Sequence, residues 1–253
     1  MIEISKRLSG KVALISGGAM GMGAAHARLF VQHGAKVVIG DINESAGRAV
    51  AAEFPDSIVF VRLDVTSQAS WEATVEAAEA AFGPVTVLVN NAGIVEAIPL
   101  ESMSEVDYRR VIDVNQIGPF LGMRAVIPSM KKAGHGSIVN ISSTAGLAPL
   151  PNMVSYVSSK FAVRGMSRAA SLDLAQYAIR VNSVHPGGVR TQMAAGAPEP
   201  QLQAIKRNAD PEEVSHMVVF LASDESSYCT GAEFVVDGGF QNVVGGRQPR
   251  GEN

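Results

Sequence analysis

Three side chains between Ser143 and Lys160 have the types and spacing to move a proton. Tyr156 and Lys160 stand four residues apart, opening an apolar helical pattern through Phe161, Ala162, Val163, Met166, Ala169, Ala170 and Leu172. That interval places a phenol and an ammonium on one face of a helix. A free tyrosine gives up its proton near pKa ~10, so moving it toward ~7 takes about 4 kcal/mol of preference for the phenolate. A lysine one turn away, in a cleft that excludes water, supplies attraction of the right sign. Ser143, thirteen residues before Tyr156, would donate to an oxygen on which charge develops. An exposed Tyr/Lys pair on a helix surface is the alternative, and the rest of the chain decides between the two.

The residues before this stretch alternate strand and helix. Val12–Ser16 reads as a strand, Gly17-Gly-Ala-Met-Gly-Met-Gly23 as a turn, Ala24 to Val31 as a helix, and Lys36–Asp41 as a second strand. Strand, glycine turn, helix and strand form a βαβ unit. Gly17, Gly21 and Gly23 would let the backbone approach a pyrophosphate and aim helix N–H groups at it. Asp41, at the end of the second strand, can accept from both ribose hydroxyls of NAD and would repel the 2′-phosphate of NADP. No basic side chain compensates, because Met20 and Met22 occupy the turn and Ile42 follows the acid. NAD is therefore the expected cofactor.

The pattern continues with a helix at 44–54, a strand at 57–64 and a helix at 67–82, closed by Gly83-Pro84. Asp64 would accept from an adenine amino group, with Val65 beside the ring, or would cap the next helix. A fourth strand, 85–90, runs into Asn91-Ala92-Gly93, which suits backbone contact with a cofactor or a tight turn. Ser104 opens a long helix reaching about Lys132, and Pro119 and Pro128 inside it predict an irregularity near Asn115–Pro119. A carbonyl freed there could hold a water that Asn115 orders; otherwise Asn115 serves the irregular turn alone. Strands follow at 137–142, 180–185 and 233–236, with helices ending near Tyr177 and starting at Asp210-Pro211. Residues 192–206 read as a mobile lid or an ordinary connection, and 243–253 as a polar frayed tail. The whole predicts a doubly wound parallel α/β sheet of about seven strands in one domain, 1–253. Its ligands belong at the carboxyl ends of the strands, where Asp41, Asp64, Asn91, Ser143 and Pro186 fall.

Composition excludes other classes. The 253 residues are 47% hydrophobic with a net charge of -3, so no basic field favours nucleic acid. Cys229 is the single cysteine, which fits a reducing cytoplasm and leaves no cysteine-built metal site. The first residues lack the apolar core of a signal peptide, and no run is long enough to span a membrane.

In combination, Ser16-Gly-Gly-Ala-Met-Gly-Met-Gly23, Asn90-Asn-Ala-Gly93, Asn115, Ser143 and Tyr156-x-x-x-Lys160 resemble the classical short-chain dehydrogenases/reductases from about Gly10 to Phe240. The first motif opens with Ser16 where that family commonly has threonine, which keeps a hydroxyl. The resemblance implies a Rossmann-type fold, Tyr156 as general acid/base, Lys160 as its activator and ribose ligand, Ser143 as substrate orienter and Asn115 as anchor of a water. It also implies cofactor contacts from Met20, Met22, Asp41, Asp64, Val65, Asn91, Val189 and Thr191, beside Gly17, Gly21, Gly23, Ile42, Ala92, Gly93, Pro186 and Gly187. A homotetramer is expected on the same ground. Residues 136–143, 180–187 and 226–239 are similar to bacterial NAD-dependent 3α (or 20β)-hydroxysteroid dehydrogenases. The segments that would choose a substrate, 93–98, 147–154 and 192–205, carry Ile94, Leu147, Leu150, Met153, Met193 and Leu202. They lack clustered cations for a phosphate or carboxylate, so an apolar secondary alcohol or ketone is expected, a hydroxysteroid among them. A 3-oxoacyl-carrier-protein reductase is the alternative within the family, and a non-catalytic NAD-binding sensor the alternative outside it. The first prefers NADPH and an acidic carrier, which Asp41 and the acidic balance oppose.

Overall fold

The computed structural model describes residues 6–194 and 203–244. Its centre is one parallel sheet of seven strands: β1 Val12–Ser16, β2 Lys36–Asp41, β3 Ile58–Arg62, β4 Val87–Asn90, β5 Gly136–Ile141, β6 Ile179–Pro186 and β7 Glu233–Val236, ordered β3-β2-β1-β4-β5-β6-β7. The chain winds outward from β1 in one direction and then from β4 in the other. This leaves a crevice over the carboxyl ends of those two strands, where Ser16 pairs in register with Asn90.

Central strands are apolar on successive residues, as a sheet covered on both faces requires. Ile15, Ile39, Val89, Val139 and Val184 face one core with Phe30 of α1 (Gly21–Gln32), Val50 of α2 (Glu44–Ala52) and Val218 and Leu221 of α7 (Pro211–Ala222). Leu14, Val38, Leu88, Ile138 and Val181 face the other with Trp71 of α3 (Gln68–Phe82), Met130 of α5 (Gly118–Ala133) and Leu174 of α6 (Val154–Leu174). Helix ends follow local chemistry. Ser67 accepts from the Ser70 N–H at the start of α3, and Asp210 and Glu213 form a capping box at the start of α7. The alternative assignment of Asp64 as the α3 cap is corrected here. Its Oδ1 accepts from the backbone N–H and hydroxyl of Thr66 at 3.0 and 2.7 Å, a turn that precedes the true cap.

The helix expected from Ser104 to Lys132 divides into α4 (Glu105–Ile112), a π-helical turn over Asp113–Ile117, and α5. Pro119 sits in the first turn of α5, where its missing N–H is tolerated, and the wide turn absorbs the offset. After β7 the chain closes in a short helix, α8 (Phe240–Val244), where a frayed tail was expected to begin; 245–253 lie outside the described residues. Among the described residues no helix is long and apolar enough to cross a membrane, and no His/Cys/Asp/Glu group is placed to hold a metal.

Candidate active site

A cleft of about 460 Å³ lies over the carboxyl ends of β1, β2 and β4. Its lining includes Gly17, Met20, Gly21, Met22, Asp41, Ile42, Asp64, Val65, Asn91, Ala92, Gly93 and Thr191, so most of the expected cofactor set is brought together. Asn43, Leu63, Ile94, Val114, Gln192 and Met193 complete it. Of these, Ile94 and Met193 were expected on the substrate side. Besides Tyr156 and Lys160, which are placed below, four expected contacts fall outside that lining. Val189 is buried in the core, Pro186 and Gly187 continue the sheet edge through the Gly187 N–H to Val236 carbonyl bond, and Gly23 faces Gly17 within the turn.

Close approach explains the glycines. Gly17 has φ +65°, and a Cβ there would stand 2.8 Å from the Ala92 Cα. One added to Gly23 would stand 2.0 Å from the Gly17 carbonyl oxygen. The turn is thus pressed against the end of β4, and α1 begins at its rim with no side chain among the described residues capping it. Uncapped N–H groups at a helix start are donors for an anion.

Ser16 locks this corner. Its hydroxyl accepts from the Asn91 and Ala92 N–H groups at 3.1 and 3.2 Å, so the exchange for threonine keeps the needed acceptor. Asn91 donates its amide to the carbonyls of Ser16 and Gly17, and its Oδ1 is left buried with no partner among the described residues. A buried acceptor without a donor is costly unless a ligand supplies one. Asp41 accepts from Ala19 N–H at 3.1 Å and Asn43 N–H at 2.9 Å, which holds its carboxylate on the cleft wall beside exposed Ile42. An anion cradle, a fixed carboxylate, an orphaned acceptor and apolar walls at Leu63, Val65 and Val114 fit a nicotinamide dinucleotide.

The proton-handling groups meet at the next strand end. Ser143 follows β5, its Oγ accepting from Ala145 N–H at 3.1 Å, and its hydroxyl lies near enough to the Tyr156 phenol to favour its ionisation. Lys160 is buried; its ammonium donates to the Ile141 carbonyl at 2.9 Å and stands 5.6 Å from the Tyr156 ring centroid. A Cβ on Gly93 would lie 3.6 Å from Lys160 Nζ and 3.3 Å from Asn115 Oδ1, so these groups adjoin the inner end of the cleft. The alternative of an exposed surface pair is thereby excluded.

The acidity of the phenol is a correction. Burial pushes the Tyr156 phenol up from 10.0, and the Ser143 hydrogen bond only partly opposes it. The ammonium beside it is disfavoured by the same loss of water, Lys160 being lowered from 10.5 to about 8.

Asn115 occupies the π turn, fully buried. Its Oδ1 accepts from Ile94 N–H at 2.8 Å, and its amide donates to the Ile94 carbonyl at 2.8 Å and the Ser159 hydroxyl at 3.2 Å. The side chain therefore ties the strand exit to α6, and any water in the turn would have to use backbone carbonyls. Two supporting contacts were not anticipated, although Asn90 belongs to the motif ending at Gly93. Asn90 donates to Asn140 Oδ1 at 2.8 Å, and Asn140 donates to Ser167 at 2.9 Å, joining β4, β5 and α6 beneath the site. Alternating strand residues gave no signal for these contacts beyond an amide at a buried position. The lid segment lies largely outside the described residues; its start, Gln192–Ala194, is a single 3-10 turn.

Comparison with known proteins agrees with this geometry. A family model described as Enoyl-(Acyl carrier protein) reductase matches residues 17–241. The chain is 55% identical over 237 residues to the 3-alpha-(or 20-beta)-hydroxysteroid dehydrogenase of Mycobacterium tuberculosis, covering 93% of this chain and 91% of the other. It is 49% identical over 249 residues to the trans-4-hydroxycyclohexanecarboxylate dehydrogenase of Sinomonas cyclohexanicum (94% and 96% covered). It is 43% identical over 251 residues to the NADP-dependent (R)-specific alcohol dehydrogenase of Lentilactobacillus kefiri (94% and 99% covered). With its cleft, its strand-end hydroxyls and these relatives taken together, the chain belongs to the short-chain dehydrogenase/reductase family, oxidoreductases that act on CH–OH groups with a nicotinamide cofactor.

Proposed function

We propose that the protein is an NAD(H)-dependent dehydrogenase of apolar, ring-bearing secondary alcohols and their ketones, with a hydroxysteroid as the leading substrate class. The observation that carries this reading is the Ser143 hydroxyl facing the Tyr156 phenol beside buried Lys160, at the inner end of a cleft with a carboxylate at its outer end. When bound, the nicotinamide supplies or takes up the hydride. Tyr156 then gives its proton to a ketone oxygen or receives one from an alcohol, and burial leaves it protonated and ready to act as the acid. Ser143 donates to the same oxygen, fixing which face of the carbonyl carbon is presented. Lys160, with its ammonium 5.6 Å from the phenol ring, favours the phenolate as it forms and replenishes its proton. Asn115 holds Ile94 and α6 at a fixed separation, so that Lys160 keeps its place.

Asp41 favours NAD, since a 2′-phosphate would have to approach a carboxylate already held by two backbone N–H groups. The Lentilactobacillus relative is NADP-dependent, so the preference needs its own measurement. Ile94 and Met193 make the substrate end apolar, and two of the relatives are named for ring-bearing alcohols. Val106, Phe120, Phe161 and Leu172 on α4, α5 and α6 are exposed, which supports a homotetramer built on that side. The lone Cys229 suits the cytoplasm.

The test follows NADH absorbance against steroids, cyclic alcohols, acyl thioesters and simple ketones with each cofactor. Turnover of a hydroxysteroid or alicyclic alcohol with NAD, lost in Tyr156→Phe while NADH still binds, is expected. Faster turnover with NADPH would remove Asp41 from cofactor choice, and full activity of the Phe variant would remove Tyr156 from the reaction. Light scattering at micromolar concentration should return a tetrameric mass.

A further inference from the structure

His185 lies near the end of β6, fully buried and outside the lining of the cleft. Its Nδ1 is 3.1 Å from the Ser143 carbonyl oxygen, and its Nε2 is 2.9 Å from the Ser183 hydroxyl. Ser183 and His185 are two apart on a strand, so both point to the same face. A carbonyl only accepts, so Nδ1 carries the hydrogen; in the neutral ring Nε2 accepts from the Ser183 hydroxyl. The neutral form is the stable one, because burial holds the imidazole below 6.5. The charges that face it are Glu233 on β7 and Arg164 and Lys160 on α6, and Glu233 is paired with Arg164 at 2.7 Å.

The Ser143 peptide is the corner between β5 and the loop that leads to Tyr156. Its carbonyl also accepts from Gly146 N–H at 2.9 Å, and that of the neighbouring Thr144 accepts from Gln241 at 3.1 Å. Fixing this peptide plane fixes the direction in which the Ser143 side chain leaves it.

We propose that His185 is a positioning residue for the reaction: its Nδ1–H orients the Ser143 peptide so that the hydroxyl meets Tyr156, and the Ser183 hydroxyl holds the ring in place by donating to Nε2. The inference rests on Ser143 being part of the reacting set. A satisfied core histidine with no bearing on turnover is the rival explanation, and the two differ in kinetics.

The experiment compares His185→Leu and His185→Asn in the full chain, each with Ser143 intact and in a Ser143→Ala background. Asparagine keeps an N–H near the Nδ1 position; leucine does not. The Leu variant should lose about tenfold in kcat, since small misplacements of a reacting group are costly, with KM and NADH affinity within about twofold. The Asn variant should recover to within about threefold of the parent, and the Leu effect should vanish once Ser143 is gone, as expected of residues acting through one another. Wild-type kcat in the Leu variant, an Asn variant no better than Leu, or a loss that persists without Ser143 would each overturn the proposal. If the Leu variant does not fold, Ser183→Ala takes its place: a kcat loss confined to the Ser143 background supports the proposal, and any other result overturns it. Ser143→Ala with full turnover would sink the active-site reading and this inference with it. Loss in Ser143→Ala beside full turnover in the Leu variant would sink the inference alone.

Discussion

Replacing Lys160 by methionine should make the protein more stable and less active. The ammonium is buried, and burial alone lowers its pKa from 10.5 to about 8. At 1.36 kcal/mol per unit, that drop means the folded state carries a penalty of roughly 3 kcal/mol for keeping the charge. Methionine has nearly the same length and no charge to desolvate. Against this stands the hydrogen bond to the Ile141 carbonyl, whose loss costs about 1–2 kcal/mol. A net gain of roughly 1–2 kcal/mol is expected at pH 7, or several degrees in Tm for a chain of this size. The sign with pH follows from the two pKa values. Below about 8 the lysine is charged in both folded and unfolded states, and the penalty is complete. Between about 8 and 10.5 the folded state sheds its proton first, so wild-type stability rises with pH and the variant's advantage shrinks. Above 10.5 the advantage is gone. Thermal melts of both proteins across that range, run with turnover assays, check the argument. A variant that melts lower at pH 7, or a difference that does not change between pH 8 and 10.5, would refute it.

Other outcomes follow from single contacts. Gly23→Ala should abolish cofactor binding or folding, because its Cβ would fall 2.0 Å from the Gly17 carbonyl; NADH fluorescence titration with circular dichroism distinguishes these. Asp41→Ala should erode the NAD preference, raising kcat/KM with NADP relative to NAD about tenfold or more, a change of at least ~1.4 kcal/mol. His26, fully buried between α1 and α7 with its pKa lowered to about 3, should drive acid unfolding. Its neutral form favours folding at pH above 6.5, and that contribution falls away as pH drops toward 3, so His26→Leu should flatten the acid limb of a Tm-against-pH curve.

Much of the fold was legible because local signals agreed. The glycine turn after β1, the Asp-Pro start of α7 and the break just before Pro119 each reflect backbone constraints carried by one or two residues. The cleft was readable for a related reason: strand ends are sequence positions, and a doubly wound sheet brings them to one rim. Side-chain partnerships were less legible. Nothing in the chain near Asn115 says that its amide would reach Ile94 and Ser159, which lie on other elements. The phenol's acidity was misjudged because spacing reveals a neighbouring charge but not the loss of water around both groups. The motif around Val189 gave no sign that its side chain joins the core beside a bridge to Ala209, which leaves its backbone for any cofactor contact.

The amide of Asn115 also bears on which exchanges this chain can tolerate. Its oxygen receives one hydrogen and its nitrogen gives two, so the group is used in one orientation only. Aspartate has the same shape but nothing to give, and would set an oxygen against the Ile94 carbonyl. The replacement closest in size is thus disruptive in chemistry, and a lineage that altered this position would have to rebuild the strand exit and the sixth helix together.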